Sequence, residues 1–332
     1  GHDTTWQRAA ERTDVAAAWR AWRAAGITVT WLGGPGHPAR LAADPEPVAV
    51  LFRRGPATLD APAVAVVGTR RPTPDGRACA YHLGRDLAAA GVWVVSGLAL
   101  GVDGAAHQGA LDAGGPVSTV GVAASGVDVA YPATHAGLFD RLAAVGAVVA
   151  ETAPGRPAQA WRFPSRNRVI AALADLVVVV ESHAAGGSLL TAEAALSRGI
   201  EVRAVPGPVA SPASAGTNQL LYDGAGPVRD ATDVLDALGR VEDRQRRAGT
   251  RLVRPGPAPA RQGRLSLGAA GGVAPQPGAD ATVRDAVGWR ATSLGAVVAR
   301  SGRPLGEVAA ALERLRAAGV VAEEAGWWRR CR

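Results

Sequence analysis

The sequence predicts an α/β fold: a doubly wound parallel sheet followed by a small C-terminal winged-helix domain. Three observations predict it. From residue 63 onward, short apolar runs alternate with helix-length stretches, the pattern of parallel strands joined by crossover helices. The turns after these runs repeatedly contain Gly. Residues 281–332 break that rhythm and read as three helices and a hairpin.

The elements follow in chain order. Residues 1–60 are a lead-in. Asp14 is placed to cap a helix reaching Ala25, with Gly26 as its stop. Ile27–Trp31 and Val48–Phe52 read as short strands. Residues 61–239 hold the main sheet. Its expected strands are Val64–Val67, Val92–Val95, Val117–Val120, Ala147–Ala150, Leu176–Val180 and Val202–Val205. Nearly continuous apolar runs of this kind suit strands covered on both faces. Helices are expected near 75–90, 103–113, 134–145, 164–173 and 188–198. Residues 240–280, with Pro255, Pro257, Pro259, Pro275 and Pro277 among Gly and Arg, read as a linker. In 281–332, helices fit 282–288, 292–300 and 304–318, and Val320–Glu323 and Trp327–Arg330 read as strands around Gly326.

Composition narrows the chemistry. The chain has 332 residues and a net charge of +7, and its 36 basic residues are all arginine. Without Lys there is no P-loop of the usual form, no pyridoxal Schiff base and no kinase strand lysine. Two cysteines, Cys79 and Cys331, make neither a disulfide framework nor a four-cysteine zinc site, and a reducing, cytoplasmic setting is the expectation. No apolar run reaches the ~18 residues of a membrane span, so no membrane partner is expected. The positive charge is localised. Residues 1–243 hold 20 Arg against 23 acids, whereas 244–264 hold seven Arg and no acid. A high net charge can signal nucleic acid, but any anion site in the sheet must be a local gathering of arginines.

Ligands of open parallel sheets bind beyond the carboxyl ends of the strands. There the sequence places Gly68-Thr69-Arg70, then Ser96-Gly97 through Asp103, then Gly186-Gly187-Ser188 opening a helix toward Thr191. Glycine lets backbone N–H groups approach a ligand, a helix N-terminus attracts anions, and Arg70 is a forked phosphate donor. Such turns also carry Gly and Ser for geometry alone. A second cluster, Phe163-Pro164-Ser165-Arg166-Asn167-Arg168, puts donors beside an aromatic face, a combination suited to single strands with free bases. Cations at a helix start oppose the macrodipole, so two of them there need a reason. The six histidines form no i, i+4 metal pair, no Gly-x-Ser-x-Gly elbow is present, and Gly-x-Gly-x-x-Gly does not follow the first strand. No metal, cofactor or catalytic set is therefore assigned. His107, one turn after Asp103, is placed to bond it, and Glu193 is the one carboxylate considered as a base.

Together these motifs resemble the DprA/Smf family of bacterial DNA-processing proteins. The matching residues are Val67-Gly68-Thr69-Arg70, Ser96 through Asp103 with His107, Tyr131-Pro132, and Phe163 through Ile170. Gly187 through Ala192, Val205-Pro206-Gly207-Pro208, Gly216 through Leu221 and Asp223-Gly224-Ala225 complete the series. The resemblance spans about residues 26–238. It implies a Rossmann-like fold, single-stranded DNA binding without catalysis, a homodimer, and delivery of RecA recombinase onto the strand, as in natural transformation. By motif position it implies a phosphate pocket lined by Arg70, Ser96, Gly97, Arg166, Asn167, Arg168, Gly187 and Ser188. Two positions depart from the family pattern: Leu100 stands where Arg is usual, and Ser165 where Lys or Arg is frequent. Two other readings compete. One is a phosphoribohydrolase-type enzyme using Glu193. The other is a nucleotide sensor whose winged helix reads duplex DNA.

Overall fold

The computed structural model describes residues 14–114, 119–247, 277–288, 292–324 and 327–331. Helix α1 (Val15–Ala24) starts as expected, with Asp14 accepting from the Ala17 amide at 2.8 Å. Strand β1 (Ile27–Trp31), the short helix α2 (Ala39–Ala42) and β2 (Val50–Arg54) follow. The alternating region then runs β3 (Ala63–Val67), α3 (Pro74–Ala89), β4 (Trp93–Ser96), α4 (Val102–Asp112), β5 (Thr119–Val122), α5 (Ala136–Val145) and β6 (Ala147–Ala150). It continues with α6 (Arg162–Leu173), β7 (Leu176–Val179), α7 (Gly187–Leu196), β8 (Glu201–Ala204), α8 (Ala215–Tyr222), β9 (Gly226–Pro227) and α9 (Ala231–Arg247).

These strands form one nine-stranded sheet in the order β1-β2-β6-β5-β4-β3-β7-β8-β9. Strands β3 to β9 pair in parallel, and β1 and β2 add antiparallel to the β6 edge. The lead-in strands therefore extend the main sheet instead of preceding it. The chain lays β3, β4, β5 and β6 outward in one direction, then crosses back to place β7 on the other side of β3. That reversal opens a crevice at the carboxyl ends of β3, β4 and β7.

Both faces of the sheet are covered, which explains the apolar runs. Val64 and Val66 pack against α3, α4 and α9, whereas Ala65 and Val67 pack against α6 and α7. Along a strand, alternate residues serve opposite layers, so every position of β3 is apolar. Leu87 of α3 is wholly buried in the first layer, and its truncation to Ala should cost about 2–5 kcal/mol.

The C-terminal residues form α10 (Pro277–Ala286), β10 (Thr292–Ser293), α11 (Leu294–Ser301), α12 (Leu305–Ala317), β11 (Val321–Glu324) and β12 (Trp327–Arg330). Their strands make a separate antiparallel sheet ordered β10-β12-β11. The second helix starts two residues later than expected, because Thr292 and Ser293 pair with β12 and the Ser293 hydroxyl then caps the helix on the Ala296 amide. Val283, Val297, Leu312, Val321 and Trp328 fill this unit's core, and Leu32 packs against it. Gly295 lies so close to the Pro47 carbonyl that a Cβ would overlap it.

Several boundaries shift from the sequence reading, β2, β4 and β8 by one or two residues. Helix α9 runs to Arg247 and α10 begins at Pro277, so the linker expected over 240–280 is shorter at both ends. The rest of it, including Arg251, Arg254, Arg261 and Arg264, lies outside the described residues. Of the expected strand Val117–Val120, residues 117 and 118 also lie outside them, and the strand is described over Thr119–Val122. Among the described residues no helix is long and apolar enough to cross a membrane.

Candidate nucleic-acid interface

The loops at the crevice are built from backbone bonds between distant segments. After β3, the Thr69 amide donates to the Glu181 carbonyl at 2.8 Å, and the Thr69 carbonyl accepts from Val102 at 3.2 Å. Thr73 caps α3 by accepting from Gly76, and its hydroxyl donates to the Glu181 carboxylate at 2.5 Å. The other Glu181 oxygen accepts from the Thr73 amide at 2.9 Å. Glu181, at the end of β7, thus fixes the loop after β3. Sequence reasoning assigned it no role, and at a sequence separation of 108 no local pattern reveals the contact.

After β4, the chain turns sharply. Gly101 has φ of +85°, and a Cβ there would run into the backbone of Thr69 and Arg70. Glycine is required both for the torsion and for the close approach of the two loops. Asp103, at the start of α4, accepts from the Gly97 amide at 3.2 Å and less closely from Ala99. Behind it, His107 does not bond Asp103 as expected. Its Nδ1 lies 2.6 Å from the Thr119 hydroxyl, which donates its own proton to the Val94 carbonyl at 2.7 Å. The hydroxyl has one proton, so His107 donates through Nδ1, and burial, which lowers the imidazole to about 3, keeps it neutral.

Arg166 of α6 enters this frame from the other layer. It is buried, and its Nη1 donates to the carbonyls of Gly97 and Val122. Its Nε is buried with no protein partner. Burial lowers the guanidinium to about 10, against the attraction of Asp103 and with the repulsion of Arg70, so it stays charged at neutral pH. The same burial raises the Asp103 carboxyl despite Arg166. Phe163, one turn earlier, carries both cations. Arg70 lies over its ring at 5.0 Å from the centroid, and Arg166 lies at 6.0 Å. Tyr131 approaches the same ring at 5.5 Å and is itself exposed.

The result is a groove of about 490 Å³ at the switch point. Of the residues expected at the site, it gathers Gly68, Thr69, Arg70, Phe163, Arg166, Asn167, Gly187, Ser188 and Thr191. Arg71 and His183 also line it. An Arg directly after Arg70 was a legible signal for the first of these. Helix α7 begins at Gly187, so its open amide donors and positive end border the groove. The Ser188 hydroxyl donates to Ser182 at 2.9 Å. Asp103 is the one acidic side chain in the lining, and it is turned to the Gly97 amide and Arg166.

Three expected residues are placed elsewhere. Ser96 is fully buried with its hydroxyl spent on the Val66 carbonyl at 2.6 Å. Gly97 lies beneath Arg166, where a Cβ would displace the guanidinium. Arg168 points away, donating to Glu151 and to the Glu46 carbonyl at 2.7 Å. Partners buried around each guanidinium are the reason two cations tolerate the start of α6. Glu193 is exposed and does not line the groove. Among the described residues no group of His, Cys, Asp and Glu is placed to hold a metal.

A family model described as DNA recombination-mediator protein A matches residues 28–239. The chain belongs to this family. A putative DNA processing protein DprA of Mycobacterium tuberculosis is 48% identical over 196 residues, 58% of this chain and 50% of that one. The chain thus spans about half the length of that relative. The X-ray structure of DNA processing protein A from Streptococcus pneumoniae matches with a TM-score of 0.60 and 34% identity, covering 63% of this chain and 74% of that one. The protein of the same name from Helicobacter pylori, whose structure was described for its mode of single-stranded DNA binding, matches at 0.58 and 28% identity. It covers 64% of this chain and 96% of that one. Family membership accounts for the Rossmann-like sheet and for its Gly-rich crevice.

Proposed function

We propose that this protein binds single-stranded DNA in the switch-point groove and acts as a recombination mediator without a catalytic step. The observation that carries the reading is the Phe163 ring with both the Arg70 and the Arg166 guanidinium against it. An aromatic ring beside cations offers stacking to an unpaired base and charge to the backbone phosphate next to it. Paired bases present no free face, so the same groove disfavours duplex. The solved Helicobacter pylori relative, described for single-stranded DNA binding, supports the choice of ligand.

The finer reading follows the family resemblance. The protein works as a homodimer in the cytoplasm, protects incoming single strands and loads RecA onto them during natural transformation. An enzyme of the phosphoribohydrolase type is the weaker reading, because Glu193 is exposed outside the groove.

The test is fluorescence anisotropy with a labelled single strand. Arg70→Ala and Arg166→Ala should each weaken binding by about 1–3 kcal/mol, the scale of a hydrogen bond to a charged group. Unchanged affinity in both would reject the groove. For the partner, RecA filament growth on the strand should be faster with the protein than without it, and the acceleration should vanish in Arg70→Ala.

A further inference from the structure

The C-terminal unit sits beside the groove, and its charges are not where a duplex reader would carry them. Helix α12 follows a helix and a turn, the position of a recognition helix. Its cations are committed. Arg314 pairs with Asp280 and its Nε donates to that carboxylate at 3.0 Å, while Arg316 pairs with Glu313 at 3.1 Å and Glu323 at 3.7 Å. Arg303, just before the helix, pairs with Glu307 at 3.2 Å. The exposed positions of α12 include Gly306, Glu307, Ala310 and Ala317, none of which attracts phosphate.

Strand β12 is different. Trp328 is buried in the unit's core, and Arg330 donates to the carbonyls of Arg284 and Val287 at 3.0 and 2.8 Å. By the two-residue alternation of a strand, Trp327 and Arg329 share the opposite face. On that face the Trp327 Nε1 donates to the Ser165 hydroxyl of α6 at 3.3 Å. Ser165 lies between Pro164 and Arg166, both of which line the groove. Arg329 is exposed, and its partner in register is Ala322. On the same turn of α6, Trp161 is exposed with the Arg162 guanidinium 4.9 Å from its ring. Aromatic faces and cations thus continue from the groove, past Ser165, onto β12.

We propose that the Trp327–Arg329 face of β12 is a second contact for single-stranded nucleic acid, continuous with the groove, and that the C-terminal unit meets DNA through this strand and not through α12. A strand leaving Phe163 passes Ser165 and Trp161 and places backbone phosphate on Arg329. The inference rests on the groove binding single strands, and strand length separates the two claims.

The experiment titrates the full chain with labelled oligothymidylates of about 6 and about 20 nucleotides, lengths that bracket a single binding module. Arg329→Ala should weaken the longer strand by about two- to fivefold, the scale of one exposed ion pair. It should flatten the longer strand's salt slope by about 0.7. The short strand should bind Arg329→Ala as it binds the unmodified chain. Arg70→Ala should weaken both lengths. Arg329 is exposed, so its removal leaves the fold intact, and Trp327→Phe tests the Ser165 contact while keeping a ring in place. If Arg329→Ala matches the unmodified chain on both lengths while Arg70→Ala weakens both, the second contact is refuted and the groove stands. If Arg329→Ala weakens both lengths equally, Arg329 belongs to the groove and the continuation is refuted. If Arg70→Ala alters neither length, the groove reading fails and this inference falls with it.

Discussion

The Arg70 guanidinium lies over the Phe163 ring, 5.0 Å from its centroid. The contact joins the loop after β3 to the first turn of α6, two segments held apart by the sheet's crossover. It pre-positions a cation and a stacking face as one unit. Phe163→Ala should therefore weaken single-strand binding by about 1–3 kcal/mol, the value of one stacked base. Phe163→Leu should lose nearly as much, although it fills the same space, since Leu offers no π face. Anisotropy titration of both variants checks this. Full affinity in Phe163→Leu would reduce the ring to packing.

Arg168 should behave oppositely to Arg166. Its guanidinium is buried against Glu151, with Glu46 3.8 Å away. Removing it strands a carboxylate whose pKa burial already raises. Arg168→Ala should cost about 3 kcal/mol of stability, the lower end for a broken buried pair because Glu151 still reaches solvent. Urea denaturation reads that loss. Below the transition, the variant should bind single strands as the unmodified protein does.

Gly101 and Gly91 both have positive φ, +85° and +80°, but differ in surroundings. Space around Gly91 is open, whereas a Cβ at Gly101 meets the Thr69 and Arg70 backbone. Gly91→Ala should cost only the torsional strain, about 1–2 kcal/mol, and leave binding unchanged. Gly101→Ala should cost more and also move Arg70, lowering affinity. Equal effects of the two substitutions on binding would show that the two loops need not touch.

His107 gives the fold a pH dependence. Burial pushes the imidazole down to about 3 from an ordinary 6.5. Below pH 6.5 the unfolded chain takes up a proton that the folded chain refuses. Stability is therefore complete above pH 6.5 and falls as pH drops toward 3, by up to about 1.4 kcal/mol per pH unit. His107→Gln should be less stable at pH 7 but should lose less on going to pH 5. Urea midpoints at the two pH values test it. An identical pH response in both proteins would assign the slope to other groups.

The sheet was legible because strands buried on both faces leave unbroken apolar runs, as Val64–Val67 and Leu176–Val179 do. The groove was legible because its loops need glycine at Gly68 and Gly186, where a Cβ would meet Val102 and Ser182, and a cation at Arg70. Other features were less accessible. Ile27–Trp31 read correctly as a strand and Val48–Phe52 overlaps the observed Val50–Arg54, but nothing local states that the two join the β6 edge antiparallel. The Thr73–Glu181 staple is wholly non-local. Ser96 looks like a loop donor, yet it is the last residue of a buried strand. Arg168 carried a signal that composition obscures. Two residues apart on a helix means about 200° of rotation, so Arg166 and Arg168 face nearly opposite ways and only one can reach the groove.

The central claim is that the groove selects unpaired strands. Its most direct test is anisotropy with a labelled oligonucleotide of about 20 nucleotides, single-stranded against duplex, across a salt series. The account predicts a marked single-strand preference that Arg70→Ala and Phe163→Ala each diminish, with Arg70→Ala also flattening the salt slope. Equal binding of duplex and single strand, undiminished by either substitution, would contradict it.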